Sequence, residues 1–195
     1  MRKAGAFSLL ALAGVLLAQE SPHETATDSL VAAAAQLAAL VGHRYEALDA
    51  EARAALTPAL VVSLETFRDE AIARGVEPMP IEVLEAFDGH LPDDVLASVR
   101  WRIEPESLLI GWNVLQSGMR AVTLDNLILF ASAEEAANVK LWAHELYHAL
   151  QYRQWGIEGF VEHYLVDRAA VEREAWEFRW QWMKATGRAP ITGAE

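Results

Sequence analysis

Two histidines bracket a glutamate in the segment LWAHELYHALQ, residues 141–151. His144, Glu145 and His148 form the pattern H-E-x-x-H, which places two imidazoles on one face of a helix, where both can bind the same zinc ion. In a zinc peptidase the central glutamate is the general base for a metal-activated water. Because such a site needs a third protein ligand, the motif predicts a further ligand elsewhere in the chain.

The helix that carries this motif is predicted to present two different faces. On a helical wheel of about 100° per residue, His144, His148 and Gln151 share one face, and Glu145 lies beside it. Gln151 could orient a metal ligand, or it could simply be solvated. The other side of the wheel is the most apolar arc, and we expect it to face the core. This arc consists of Val139, Trp142, Ala143, Leu146, Ala149 and Leu150.

The third ligand is sought on the last predicted helix, in the segment VEREAWEF, residues 171–178. Glu172 and Glu174 are the candidates, and they point in opposite directions. A buried carboxylate needs a cation or a proton, so an apolar environment favours Glu172 over Glu174 as the metal ligand. Without a metal, Glu172 would form a salt bridge to Arg168 or Arg179. The wheel places Glu172 at the centre of an apolar stripe of Leu165, Ala169, Trp176 and Met183.

Three other polar residues near the motif are weaker candidates. Tyr147 and Tyr164 could stabilise an oxyanion, although tyrosines of amphipathic helices more often serve in packing. His163 does not have the spacing of a third histidine ligand, and we expect it at the surface.

The segments before the motif predict short helices followed by a small sheet. Helical sequence is expected from Asp28 to a break at Thr57–Pro58, then from Pro58 to Arg74, and again in the segments beginning IEVLEAF and LPDD. VRWRI, AVTL and LILF are typical of strands, with a turn at Asp125–Asn126. We therefore predict an antiparallel sheet of two or three strands between about residues 99 and 130.

Two helices are expected after the sheet. Ser132 and Glu135 form a capping box that predicts the start of the motif helix, which should end at Gly156. The last helix is expected from Tyr164 to Lys184. The predicted fold class is therefore α+β and mostly helical.

Composition limits the classes of partner. The chain has 195 residues, no cysteine and a formal net charge of −12. No nucleic-acid partner is expected, because phosphate binding requires the opposite charge, and disulfides are excluded. The expected partner is a peptide or protein substrate, while the oligomeric state stays open.

The N-terminus is typical of an exported protein. In residues 1–18, Arg2 and Lys3 precede an apolar run that is short for a membrane span, as in a secretory signal peptide. We expect a secreted or periplasmic protein with no stable membrane span after cleavage; an uncleaved anchor is the alternative. Residues 19–27 are predicted to be a flexible linker, 28–90 an N-terminal helical region and 91–195 the metal-binding core, with 28–195 as one folded unit.

Three segments together resemble a known family. MRAVTLDNLILF, LWAHELYHALQYRQWGIEGF and VEREAWEF are similar to segments of zinc metallopeptidase-like domains linked to extracellular contractile injection systems, over roughly residues 91–178. Asp125 replaces the glycine of the family's strand pair, and Trp176 stands where gluzincin peptidases often have Asp or Asn. The resemblance implies a zincin-like fold, with a small sheet over the motif helix and the ligand helix beneath.

The residues and the resemblance together lead to one hypothesis and one alternative. The hypothesis is a secreted zinc-dependent metallopeptidase, with zinc held by His144, His148 and Glu172 and with Glu145 as the general base. The alternative is a non-catalytic domain, either stabilised by zinc or free of metal, that has kept the motif helix for an interaction.

Overall fold

The computed structural model describes residues 50–104 and 120–188. The predicted signal peptide, the linker and the first part of the N-terminal helical region lie outside the described residues. Within them the chain is α+β and mostly helical, as predicted. Its elements are α1 (Ala50–Ala73), β1 (Glu77–Pro78), α2 (Ile81–Phe87), α3 (Asp93–Ser98), β2 (Arg100–Ile103), β3 (Ala121–Leu124), β4 (Leu127–Phe130), α4 (Ala133–Ala136) and α5 (Val139–Ala185).

The sheet has four strands in the order β1-β2-β4-β3 and is mixed, so the expectation of an antiparallel sheet is wrong. β3 and β4 form the predicted antiparallel hairpin, but β2 runs parallel to β4. β3 lies between β2 and β4 in the chain and runs antiparallel to β4, so it returns the chain across the sheet and β4 can run parallel to β2. All four side chains of β4 are buried, because LILF is apolar on both faces and therefore suits the centre of the sheet. The two-residue β1 was too short to predict.

The hairpin turn explains a difference noted in the sequence. Asp125 has a φ of 58°, the left-handed conformation that glycine adopts without strain. Aspartate tolerates this conformation better than most residues, so Asp125 can stand where the sequence resemblance has glycine. One Arg68 guanidinium nitrogen, Nη2, donates to the Asn126 side-chain oxygen at 2.7 Å and lies 3.4 Å from the Asp125 carboxylate. These contacts attach the turn to α1.

Helix α1 continues through the predicted break at Thr57–Pro58, so that prediction is wrong. Pro58 lies inside the helix, where it lacks the N–H needed for a backbone hydrogen bond, at a cost of about 3 kcal/mol. A buried stripe on its C-terminal side offsets this cost, since each buried large apolar side chain contributes about 1.5–3 kcal/mol. The stripe consists of Leu60, Leu64, Phe67 and Ala71.

Helix α5 contains two breaks that divide it into three segments. Gly156 (φ 72°, ψ 172°) and Asp167 (φ −148°, ψ 73°) are non-helical, and we call the segments α5a (139–155), α5b (157–166) and α5c (168–185). The end of the motif helix at Gly156 is confirmed. The last helix begins after Asp167 rather than at Tyr164, because the Asp167 carboxylate accepts a hydrogen bond from the Ala170 N–H at 2.9 Å and caps α5c.

The start of the motif helix also differs from the prediction. The Ser132 hydroxyl accepts from the Glu135 N–H at 3.2 Å, as a capping box requires, but it caps only the single turn of α4. Helix α5 has its own cap at Asn138, whose side chain accepts from the Lys140 N–H at 3.2 Å. Ser132 therefore caps a helical turn as predicted, but the motif helix begins at a cap six residues later.

The sheet is covered on both faces because alternate residues of β4 point in opposite directions. Ile128 and Phe130 join one buried cluster with Trp142 and Leu146 of α5a, so the predicted core face of the motif helix is confirmed. The neighbours of Ile128 face the opposite side, where a second cluster joins the sheet to α1 and α5b. Among the described residues, no helix combines the length and apolar character needed to cross a bilayer.

A buried ion cluster joins α1 to β2. Glu104 is almost completely buried and accepts two hydrogen bonds from the Arg74 guanidinium, at 3.0 and 3.1 Å. The Arg102 Nε lies 2.7 Å from the same carboxylate oxygen. Two cations around one buried carboxylate satisfy its charge and fix the end of α1 against the sheet.

Candidate metal centre

Three side chains from two segments of α5 converge on one point. His144 and His148 lie one turn apart on α5a, and Glu172 faces them from the first turn of α5c. Their ligand atoms all lie within 4.8 Å of one another, and these residues form a group that could hold a metal ion. The three residues that the sequence predicted as ligands are therefore brought together.

The distances within this group are close to those of a metal-ligand set. The two histidine Nε2 atoms are 3.1 Å apart, and the Glu172 Oε2 lies 3.3 Å from the His144 Nε2 and 3.8 Å from the His148 Nε2. Ligands about 2.0–2.1 Å from a tetrahedral zinc are roughly 3.3–3.4 Å apart. The donor atoms thus lie at nearly the spacing that one small cation requires.

Gln151 determines the tautomer of His148. Its amide nitrogen donates to the Val171 carbonyl at 3.2 Å and to the Glu174 carboxylate at 2.9 Å, and both groups can only accept. The amide oxygen therefore faces the His148 Nδ1, 2.8 Å away, which must carry the proton. In the neutral ring the lone pair is then on Nε2, the atom that faces Glu172 and His144. Of the two alternatives for Gln151, the solvated one is wrong, because the side chain is only 1% exposed and contacts His148.

The other oxygen of Glu172 is held by Tyr164 from α5b. The Tyr164 hydroxyl donates to the Glu172 Oε1 at 3.0 Å. Burial, together with the negative charge of Glu172, raises the pKa of Tyr164, so the phenol stays a donor. Tyr164 therefore lies behind Glu172, where it orients the carboxylate.

The electrostatics of the group favour a carboxylate anion beside the histidines. Partial burial acts to raise the pKa of Glu172, but hydrogen bonds and positive charge from His144 and His148 outweigh it and hold that pKa well below its usual range. For His148, burial acts to lower the pKa, and the hydrogen bond to Glu172 with the charges of Glu145 and Glu172 raises it above its usual value instead. Glu172 is therefore held as a carboxylate anion, which is the form that binds a cation.

Glu145 lies next to the ligand group without belonging to it. Its Oε2 accepts a hydrogen bond from the Thr123 hydroxyl at 2.8 Å, and the same hydroxyl lies 3.0 Å from the Glu145 carbonyl oxygen. The carboxylate is buried, and its negative charge contributes to the raised pKa of His148. Within the described residues, Glu145 is thus a buried side chain held by Thr123, outside the group of His144, His148 and Glu172.

His144 has one nitrogen in the ligand group and one that is unpaired. Its Nδ1 is buried and has no hydrogen-bond partner among the described residues. The ring also contacts the indole of Trp176, with the ring centroids 4.8 Å apart. In metal sites the second nitrogen of a ligating histidine usually donates to a carbonyl, a carboxylate or a water. The donor set of two imidazoles and one carboxylate fits a zinc ion.

The structure separates the candidates for the third ligand. Glu172 faces the histidines, whereas Glu174 binds the Gln151 amide. The alternative salt bridges of Glu172 are absent within the described part of the chain, where Arg168 lies over the Tyr164 ring and Arg179 over the Trp176 ring.

The apolar stripe that led to Glu172 is only partly correct. Met183 is buried, but Trp176 is 53% exposed and Glu172 lies at the edge of the buried face. The predicted stripe required one continuous helix from Leu165. Because the helix is broken at Asp167, Leu165 does not lie on the same face as the residues of α5c.

Thr123 is the site residue that sequence reasoning missed. It lies on β3, and its hydroxyl contacts Glu145 from a buried position. The segment AVTL was predicted as a strand, but its periodicity gave no sign that Thr123 would face Glu145. The surface position expected for His163 is confirmed, where its ring stacks on Trp155. Tyr147 stacks on Phe178 with its ring centroid 5.2 Å away, a packing contact.

Comparison with known proteins gives one finding. The sequence model of one protein family, the eCIS core domain, matches residues 78–156. This match links the chain to extracellular contractile injection systems. The matched part includes β2, β3, β4 and the H-E-x-x-H residues, but it ends before Glu172. No curated protein and no solved structure matches the chain.

Proposed function

We propose that this protein is a zincin-like, zinc-dependent metallopeptidase whose metal is held by His144, His148 and Glu172. The convergence of three ligand atoms within 4.8 Å is the observation that carries the proposal. Glu145 supports a hydrolytic role, because it is not one of the three proposed ligands but lies close enough for its charge to raise the pKa of His148. A secreted or periplasmic location belongs to the same proposal and rests on the N-terminal sequence alone.

The chemistry follows from the roles that these side chains can take. A bound zinc ion would lower the pKa of a water molecule and polarise the substrate carbonyl. Glu145 accepts the proton of the attacking water and then delivers it to the leaving amine. Thr123 holds one oxygen of this carboxylate, which fixes its orientation and leaves the other oxygen to exchange the proton. Tyr164 and Gln151 keep Glu172 and His148 in their binding orientations.

The choice of ligand is tested by zinc content. We expect the wild-type protein to bind one zinc per chain and Glu172→Ala to lose most of it, because only two ligands remain. Glu174→Ala is the comparison variant, since Glu174 contacts the Gln151 amide instead of the histidines and Gln151 keeps the Val171 carbonyl as an acceptor, so any loss of zinc should be much smaller. Elemental analysis after dialysis measures both. Loss of zinc from Glu174→Ala alone would show that the other glutamate is the ligand.

The role of Glu145 is tested by a variant that keeps the shape of the side chain. Glu145→Gln removes the proton acceptor, and we expect cleavage of a peptide library to fall by about 10²–10⁴-fold. Zinc content should stay at the wild-type value, because Glu145 is not among the ligands. A zinc-loaded Glu145→Gln protein that cleaves as fast as the wild type would contradict the mechanism.

A second candidate function is a zinc-stabilised module without catalysis. It is favoured by the position of the ligands, which join α5a to α5c across the two breaks of α5. In that case the metal contributes to folding, and Glu145 is dispensable. A protein that unfolds on chelation, yet cleaves no peptide when loaded with zinc, would support this function over hydrolysis.

A further inference from the structure

Trp176 is the large exposed aromatic side chain in contact with a proposed zinc ligand. It lies one turn after Glu172 on α5c, and its indole is 4.8 Å from the His144 ring by centroid distance. Although it touches the ligand group, the residue is 53% exposed. Scattered surface hydrophobic residues are ordinary, so exposure alone carries little weight; its position against the metal ligands is what distinguishes this one.

A cation holds the indole in place. The Arg179 guanidinium lies over the Trp176 ring, 4.8 Å from its centroid. No carboxylate pairs with this guanidinium within the described residues, and burial together with the charge of Arg120 lowers its pKa. The ring is thus fixed by His144 and by Arg179, which reduces the entropy lost when a ligand packs on it.

The same helix contains a comparable tryptophan that is remote from the ligands. Trp180 is one turn further along α5c, is 40% exposed and lies under the Lys184 ammonium at 5.0 Å. It shares the aromatic-cation arrangement of Trp176 without the contact to His144. A comparison of Trp176 with Trp180 therefore distinguishes an effect of proximity to the site from an effect of surface exposure alone.

We propose that Trp176 is the specificity-determining residue of the site and takes a large aromatic or aliphatic side chain of the peptide, next to the group bound at the metal. The proposal rests on the proposed zinc site. A peptide carbonyl placed at His144, His148 and Glu172 brings its neighbouring side chain within reach of an indole that contacts His144. Aromatic and large aliphatic side chains gain most from such a surface, because they bury apolar area and stack on the ring.

The test measures binding, so it does not depend on turnover. The zinc-loaded full chain is titrated calorimetrically with two dipeptide hydroxamates, which carry phenylalanine or alanine next to the metal-binding group. We expect the wild type to bind the phenylalanine ligand about tenfold more tightly. Trp176→Ala should bring this ratio near unity, Trp176→Phe should keep most of it, and Trp180→Ala should leave it unchanged.

Several results would overturn the proposal. These are equal binding of the two ligands by the wild type, a ratio that survives in Trp176→Ala, or an equal loss in Trp180→Ala. A ligand with aspartate in place of phenylalanine that binds best, through Arg179, would also overturn it. If Trp176→Ala loses zinc or fails to fold, Trp176→Gln and Trp176→Phe provide the comparison.

The outcome is distinguishable from that of the proposed function. A hydroxamate binds the metal whether or not Glu145 performs catalysis, so a Trp176-dependent preference without peptide cleavage would support the inference and contradict the peptidase. Cleavage without any preference would support the peptidase and contradict the inference. Absence of zinc-dependent hydroxamate binding would contradict both.

Discussion

Gln151 is the residue that fixes the tautomer of His148. Its amide can make only one arrangement of hydrogen bonds, because the Val171 carbonyl and the Glu174 carboxylate both accept. His148 therefore has its proton on Nδ1 and its lone pair on Nε2. The sequence placed Gln151 on the histidine face but could not show which tautomer of His148 it selects. That selection depends on the two acceptors of α5c that bind the Gln151 amide nitrogen.

Substitution of Gln151 should weaken the metal site without removing a ligand. We expect Gln151→Leu to lower zinc affinity by about 10–100-fold, because the His148 tautomer and ring orientation are no longer fixed. Gln154→Leu is the matched control, since Gln154 is exposed on the same helix segment. Competition with a fluorescent zinc chelator measures both. Equal zinc affinity of Gln151→Leu and the wild type would contradict this role.

At the scale of the element, the breaks in α5 bring the ligands together. The histidines and Glu172 could not meet on one straight helix, because residues 24 or more apart are at least about 36 Å apart at 1.5 Å per residue. Gly156 and Asp167 allow the chain to turn back, so that α5c packs beside α5a. The sequence predicted the first break from glycine, but the second depends on a local aspartate cap that was not recognised.

Gly156 should be sensitive to substitution through its backbone alone. Its φ of 72° with ψ of 172° is a conformation that only glycine adopts easily. Apart from its immediate chain neighbours and the backbone of its own helix, no heavy atom of the described residues lies within 4 Å of a Cβ added there, so no packing clash contributes. We expect Gly156→Ala to lower the free energy of unfolding by about 1–3 kcal/mol, measured by urea denaturation.

The control for this prediction is Glu158→Ala. Glu158 is exposed on the neighbouring helical segment, and its substitution should change stability by less than about 0.5 kcal/mol. If both variants unfold at the wild-type urea concentration, the backbone at Gly156 is not strained for other residues.

For the whole molecule, zinc is expected to act as a cross-link between α5a and α5c. A ligand at 100 times its dissociation constant adds about 2.7 kcal/mol to the free energy of unfolding. In a domain of this size, each kcal/mol corresponds to roughly 2–4 °C in Tm. We therefore expect chelation to lower Tm by about 5–10 °C, measured by calorimetry with and without a chelator. Glu172→Ala should show no such shift, and a shift of equal size in that variant would contradict the site.

The same measurement has a predicted dependence on pH. The pKa of His148 is raised in the folded protein, and zinc binds only the unprotonated ring. As pH falls through this raised pKa, protons displace zinc, and the Tm difference between loaded and chelated protein should decrease. It should be largest above that pKa, where the competing proton is absent.

Local sequence determined much of this protein. The motif spacing placed His144 and His148 on one face, the hairpin strands followed from AVTL and LILF, and Gly156 marked a helix end. These features depend on contacts between residues close in the chain, which periodicity and turn chemistry report directly. The parallel pairing of β2 with β4 was not visible, because it joins two strands that are not consecutive in the chain, and local periodicity does not report such contacts.

The tertiary structure decided which polar residues act together. It put Glu172 at the ligand group and Glu174 behind Gln151, and it added Thr123 from the sheet and Tyr164 from α5b. It also left Trp176 exposed, where the wheel had buried it. The physical reason is that a metal site needs donor atoms converging within a few ångströms from separate segments, and only the packing of those segments fixes such distances.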